Sequence, residues 1–165
     1  MTEDQGPIDV DLFAATKASL LNVLSSVARS AGFEYQWGRI FFVYGPGQRS
    51  TSLLPSLRRA YVSGVNPDIR TPETLQDFIH VDDVAAGLVS LVSSDAPSGV
   101  FNVGSGHPTS VAQVANITAD YYNKPRPFKD ISDGSGFWAS TEKIMSATGW
   151  CPRISIDEGI ASTLE

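Results

Sequence analysis

The chain has 165 residues, 42% of them hydrophobic and 18% charged, which suffices for one buried core and lies well outside the disordered range. A formal net charge of −6 excludes the broad basic field that nucleic acid or an anionic membrane surface requires. A single cysteine, Cys151, excludes an internal disulfide and a cysteine-built metal centre, and two isolated histidines, His80 and His107, are too few for zinc.

Residues 1–10 read as a polar N-terminal tail, and 11–165 as a single α/β domain. The start lacks the basic end and apolar run of a signal peptide. No stretch approaches the ~20 apolar residues of a membrane span. A cytoplasmic protein that does not enter membranes is expected.

Residues 11–31 predict a helix whose apolar stripe, Phe13, Leu20, Leu24, Val27 and Ala31, recurs at three- and four-residue steps; Gly32 ends it. Residues 33–44 (FEYQWGRIFFVY), rich in aromatic and β-branched types, predict a strand running into the turn Gly45-Pro46-Gly47. A short helix follows over 53–63, broken by Gly64-Val65-Asn66-Pro67. Asp77-Phe78-Ile79-His80-Val81 predicts a strand, with His80 bonding a backbone group beside it. Asp82 or Asp83 then caps a helix reaching about Val92, because a carboxylate accepts bonds from the free N–H groups of a first turn. Residues 99–103 (GVFNV) predict a buried strand, in which Asn102 satisfies loop backbone. The loop from Gly104 to Pro108 leads to Ser110 and Gln113, spaced as a capping box that opens a helix over 111–122. A helix over about 141–148 stops at Gly149, and Ser155 with Glu158 repeats the capping pattern.

Strands alternating with helices indicate an α/β domain. A doubly wound nucleotide-binding fold opens with a strand, a Gly-rich turn and a helix, whereas this chain opens with a helix. The segment from Gly104 to Thr109 follows a strand and precedes a helix but lacks the third glycine of G-x-G-x-x-G. It reads as a connecting turn before it reads as a phosphate cradle.

Five segments, in order, resemble the extended short-chain dehydrogenase/reductases that act as NAD-dependent nucleotide-sugar epimerases and dehydratases. They are FAATK (13–17), RIFFVYGPGQ (39–48), DFIHVDDVA (77–85), GVFNVGSG (99–106) and ATGWCP (147–152). The resemblance covers nearly all of 11–165 and only the second half of the family. It implies the C-terminal portion of a Rossmann-like doubly wound sheet plus the small substrate-binding subdomain, with the N-terminal Gly-rich half absent.

The resemblance also implies site residues. The family's Tyr-x-x-x-Lys becomes Phe13-Ala14-Ala15-Thr16-Lys17. A phenol is needed to move a proton as hydride transfers, and phenylalanine has none. Phe13 is therefore expected to be a core ring at helical spacing. Lys17, a vestige of the catalytic pair, either reaches a cofactor ribose or lifts its charge to solvent on an aliphatic stem. Tyr44 and Gly45 correspond to the turn beside the nicotinamide. Gly47, Gln48, Arg49 and Gln76 are the candidate substrate-binding residues. Phe42 stands where the commonest family form has asparagine, and Gln76 where an arginine clamps the diphosphate; Arg70 is close in sequence. The implied cofactor is NAD or NADP, bound weakly or not at all by this chain alone.

Two functional readings remain open. One is a truncated nucleotide-sugar epimerase/dehydratase-like protein that is not catalytic alone. The other is a non-catalytic module that binds a nucleotide sugar or self-associates. Either way, a parallel sheet missing its neighbours exposes a flank, so a homodimer or a partner chain covering it is expected, with helix 11–31 as the contact surface.

Overall fold

The computed structural model describes residues 1–6, 11–129, 131 and 134–165. Its elements in chain order are α1 (Leu12–Ala31), β1 (Gln36–Ile40), β2 (Phe42–Tyr44), α2 (Leu53–Val62), β3 (Leu75–His80), α3 (Val81–Val92), β4 (Gly99–Val103), β5 (Pro108–Ser110), α4 (Val111–Tyr121), β6 (Gly136–Phe137), α5 (Glu142–Thr148) and α6 (Ile156–Leu164). The result is a Rossmann-like α/β arrangement with parallel strand pairs.

The predicted strand over 33–44 is two strands in two sheets. β1 pairs in parallel with β4, from Gln36 opposite Gly99 to Ile40 opposite Val103. β2 pairs in parallel with β3, Tyr44 opposite His80. Phe41 carries the chain between the sheets and still donates its N–H to the Val103 carbonyl at 3.2 Å. An unbroken aromatic and β-branched run carries no turn residue to mark this crossing, so pattern alone reads one strand. β3 continues its sheet with β5, antiparallel, and β6, parallel.

Two apolar cores follow. Tyr44, Leu54, Leu57, Phe78, Val114 and Ile160 anchor one, where α2, α4 and α6 pack on β2 and β3. α6 fits there because Gly159 has no side chain: a Cβ would run into the Tyr44 ring. Ile79, Leu91, Phe101, Val103, Ile144 and Trp150 anchor the second, where α3 and α5 cover β4.

The capping signals fare unevenly. Ser155 and Glu158 form a reciprocal capping box opening α6, and the Ser110 side chain accepts from the Gln113 N–H at the start of α4. Neither Asp82 nor Asp83 caps α3. That position belongs to His80, whose extended backbone (ψ 144°) precedes the helix and whose Nδ1 accepts from the Asp82 N–H at 3.3 Å. Both aspartates lie inside the first turn. Asp83 instead accepts from the N–H groups of Arg153 and Ile154 at 2.9–3.1 Å, tying the segment before α6 to α3.

α1 corrects the reading of its apolar stripe. Gly32, at φ 72°, closes it as expected, and Asp11, read as its first residue, is instead its cap. Yet Phe13, Leu20 and Val27 are 70%, 52% and 48% exposed. Phe13 is not a core ring. Leu24 of that stripe is half-buried; the inward side runs through Ala14, Ala18, Leu21, Leu24, Ser25 and Ala28, and only Ala28 is fully buried. Helical periodicity detects any apolar stripe, and α1 carries two; the side of small residues is the one that meets the rest of the fold, where Ser25 bonds the Tyr35 hydroxyl at 2.7 Å.

Residues 1–6 of the polar N-terminal stretch lie across the ends of β1 and β4. Arg39 donates to the Thr2 and Glu3 carbonyls, and the Asn102 N–H donates to the Glu3 carboxylate at 3.0 Å. The Asn102 side-chain amide donates to the carbonyls of Met1 and Ser140. Residues 7–10 of that stretch lie outside the described residues.

Candidate functional site

The segment after β2 gathers most of the candidate residues. Tyr44 is 2% exposed, its ring edge-on to His80 at 5.4 Å and to Phe78 at 6.4 Å. Burial, with Asp83 and Asp157 adding negative charge nearby, pushes the phenol far above its usual 10. It therefore stays protonated and turned into the core. What Tyr44 can offer a ligand is backbone.

Gly45 is buried with φ 143°, and a Cβ there would lie 2.6 Å from Val81 Cγ1, so only glycine fits. The unpaired His80 Nε2 lies 3.4 Å from the same point. Gly47, at φ 84°, turns the chain in open space. Gln48 folds back to donate from Nε2 to the Val43 carbonyl at 3.3 Å, leaving its buried Oε1 without a partner. Arg49 is exposed, and its carbonyl accepts the Ser52 N–H ahead of α2.

Gln76 is set apart from this turn. In β3 it pairs with Thr109 and Phe137, four residues before His80, the residue opposite Tyr44. At about 3.3 Å per residue, that is roughly 13 Å down the strand. Lys17 sits on the exposed side of α1, its Nζ 5.5 Å over the Phe13 ring. A cation on a ring face at an exposed site is a modest local attraction, and it accounts for Lys17 without a ligand.

The residue that sequence reasoning did not single out is Asp77. It is 1% exposed, and its carboxylate accepts four hydrogen bonds: from the Ser105 N–H at 2.6 Å, the Ser105 hydroxyl at 2.7 Å, the Gly106 N–H at 3.1 Å and the Ala139 N–H at 2.9 Å. Gly104 leaves room for it, since a Cβ would meet Asp77 Oδ2 at 2.6 Å. A buried carboxylate with no cation in its own segment was the available signal, because such a charge must find several donors.

This arrangement tests the fit of a dinucleotide. A pyrophosphate needs backbone N–H groups aimed outward from a Gly-rich turn at a helix N-terminus. In the strand–turn–helix segment from Gly99 to Val111, the Ser105 and Gly106 amides already serve Asp77. The segment does not fit a pyrophosphate. Tyr44, held neutral in the core, does not replace the phenol that Phe13 lacks. No group of three or more His, Cys, Asp or Glu side chains among the described residues is placed to hold a metal ion. No described helix is long and apolar enough to cross a membrane.

A model of the NAD dependent epimerase/dehydratase family matches residues 2–104. The chain is 28% identical over 164 residues to a dTDP-L-rhamnose 4-epimerase of Burkholderia thailandensis, covering 93% of this chain and 45% of that protein. It is 26% identical over 160 residues to a UDP-glucuronate 4-epimerase of Thermodesulfobacterium geofontis, covering 92% and 49%. Among solved structures, MoeE5 in complex with UDP-glucuronic acid and NAD is 30% identical with a TM-score of 0.85, over 99% of this chain and 57% of that one. A tyrosine-to-phenylalanine mutant of the Bacillus cereus UDP-glucuronic acid 4-epimerase, in complex with UDP-4-deoxy-4-fluoro-glucuronic acid and NAD, has a TM-score of 0.86 over 99% and 55%. At 21% identity that likeness concerns the fold alone. The chain spans about half the length of the curated relatives it matches.

Proposed function

The chain belongs to the NAD-dependent epimerase/dehydratase family, and on that footing we propose that it is a nucleotide-sugar epimerase/dehydratase-like protein that does not carry out redox chemistry alone. The observation that carries this reading is the engagement of the Ser105 and Gly106 amides by Asp77, which leaves no dinucleotide cradle in the strand–turn–helix segment. The absence of a phenol at Phe13 supports it. What remains is a surface for the sugar nucleotide around Gly47, Gln48 and Arg49, where the unpaired Gln48 Oε1 can accept from a ligand hydroxyl or amide. Gln76 contributes only to a ligand long enough to reach roughly 13 Å along β3 from the turn after Tyr44. Lys17, and the backbone at Tyr44 and Gly45, take part in holding NAD or NADP once the rest of a cofactor site is supplied. The protein works in the cytoplasm, with a second copy or a partner chain over its exposed flank.

Calorimetry on the chain alone is expected to show NAD binding no tighter than about millimolar, since each lost charge-assisted contact removes about 1.5–3 kcal/mol. A micromolar dissociation constant would overturn the proposal. The chemical half of the reading is tested by Phe13→Tyr, assayed with and without a separately supplied Gly-rich half from a relative. Turnover is expected only when both are present; turnover by the unaltered chain alone refutes it.

The exposure of Phe13, Leu20 and Val27 favours a second reading, in which association itself is the role.

A further inference from the structure

Two buried carboxylates hold the walls of a groove on the β5 side of β3, away from β2. Asp77 fixes the loop after β4 through the Ser105 and Gly106 N–H groups, and Asp83 fixes the lead into α6 through those of Arg153 and Ile154. Between these walls lies a cavity of about 330 Å³. That is the small end of the roughly 300–1,000 Å³ range of organic-ligand pockets. Phe78, Ile154 and Ile156 give it an apolar lining. Its polar groups lack partners. Thr109 is 7% exposed, and its hydroxyl bonds no other described residue. The exposed Arg153 side chain meets no described carboxylate. The His107 ring is fixed by Nδ1 donating to the Ser105 carbonyl at 2.8 Å, which leaves Nε2 for a ligand.

A buried hydroxyl without a partner carries a desolvation cost that a ligand oxygen removes, and a guanidinium pairs best with a group that accepts two parallel bonds. We propose that this groove binds a small organic carboxylate of about one ring in size. Its oxygens take the Thr109 hydroxyl and the Arg153 guanidinium, and its apolar body lies against Phe78, Ile154 and Ile156. A single negative charge suits the place better than two. The chain carries a net charge of −6, and Ser155, which also lines the groove, holds the Glu158 carboxylate on its N–H and hydroxyl at 3.1 and 2.7 Å. The walls are pinned through backbone before any ligand arrives, so binding spends little on ordering them. The groove is separate from the candidate sugar-nucleotide surface: Gly47, Gln48 and Arg49 follow β2, and none of them lines it. It is thus a second site, independent of the proposed function.

The test titrates the isotope-labelled full chain with benzoate, benzyl alcohol and inorganic phosphate and follows its amide resonances by NMR. Benzoate is expected to saturate shifts at Ser105, Gly106, Thr109, Arg153 and Ile154 with a dissociation constant of about millimolar. Benzyl alcohol keeps the ring and loses the charge; phosphate keeps the charge and loses the ring. Each is expected to bind at least about tenfold more weakly than benzoate. Thr109→Val and Arg153→Met are each expected to weaken benzoate binding at least about threefold. Neither breaks a hydrogen bond of the fold, because the Thr109 hydroxyl has none and the Arg153 backbone N–H still serves Asp83, so the urea midpoint is expected to stay in place. No saturation by about 20 mM benzoate would overturn the proposal. Equal binding of the three probes, unchanged affinity in either variant, or shifts confined to the turn after β2 would each do the same.

Discussion

α4 and α1 are both amphipathic by sequence, yet six residues of α4 are fully buried and one of α1. α4 is held by bonds from outside itself: Tyr61 donates to its Ala115 carbonyl, and Asn116 exchanges two bonds with the Phe128 backbone. The α1 hydroxyls bond mostly inward, Thr16 to Leu12, Ser19 to Ala15 and Ser25 to Leu21, each one turn back along the same helix. Intrinsic propensity and two good caps thus suffice to write α1 as a helix, but burial decides whether its apolar residues contribute stability.

The largest expected effect lies on the packed side. Asp77→Ala removes the acceptor of four bonds and strands three buried or part-buried N–H groups. It is expected to cost about 3–5 kcal/mol in urea unfolding; a loss below about 1 kcal/mol would mean that water replaces the carboxylate, and that the loop after β4 is not organised by it.

A smaller effect appears in alkali. Burial raises the pKa of Tyr44, and of Tyr61 in the same core, above the usual 10. Above pH 10 the unfolded chain releases these protons while the folded one keeps them, so the folded state binds more protons and stability falls as pH rises. Below pH 10 both states hold the protons and the contribution is intact. The slope is expected to reach about 1.4 kcal/mol per pH unit for Tyr44, and Tyr44→Phe should flatten it. An unchanged slope in that variant would assign the alkaline loss to other groups.

The smallest effect belongs to α1. Phe13→Ala is expected to shift stability by no more than about 0.5 kcal/mol, the range of substitutions at exposed positions. A loss above about 2 kcal/mol, the size of a core truncation, would show that the ring is buried in solution and erase the contrast with α4.

Much of the fold was legible in local pattern. Gly32, Ser110, Gly149 and Ser155 mark helix ends because caps are satisfied by atoms a few residues away. The five ordered segments carried the family, since each keeps its residues together in the chain. The candidate site was legible only where it is contiguous, from Tyr44 to Arg49. Gln76 belongs to the same sheet but sits far along β3, and a register is not written in either strand by itself.

The sequence by itself determined most of the helices, the ends marked by Gly32, Ser110, Gly149 and Ser155, the family and the missing phenol at position 13, because these depend on neighbours along the chain or on the identity of one residue. Tertiary structure decided which stripe of α1 faces inward, that the chain crosses between sheets at Phe41, that His80 rather than Asp82 or Asp83 caps α3, and that Asp77 takes the Ser105 and Gly106 amides. Each of those is a competition among partners distant in sequence, settled by which groups burial leaves without water.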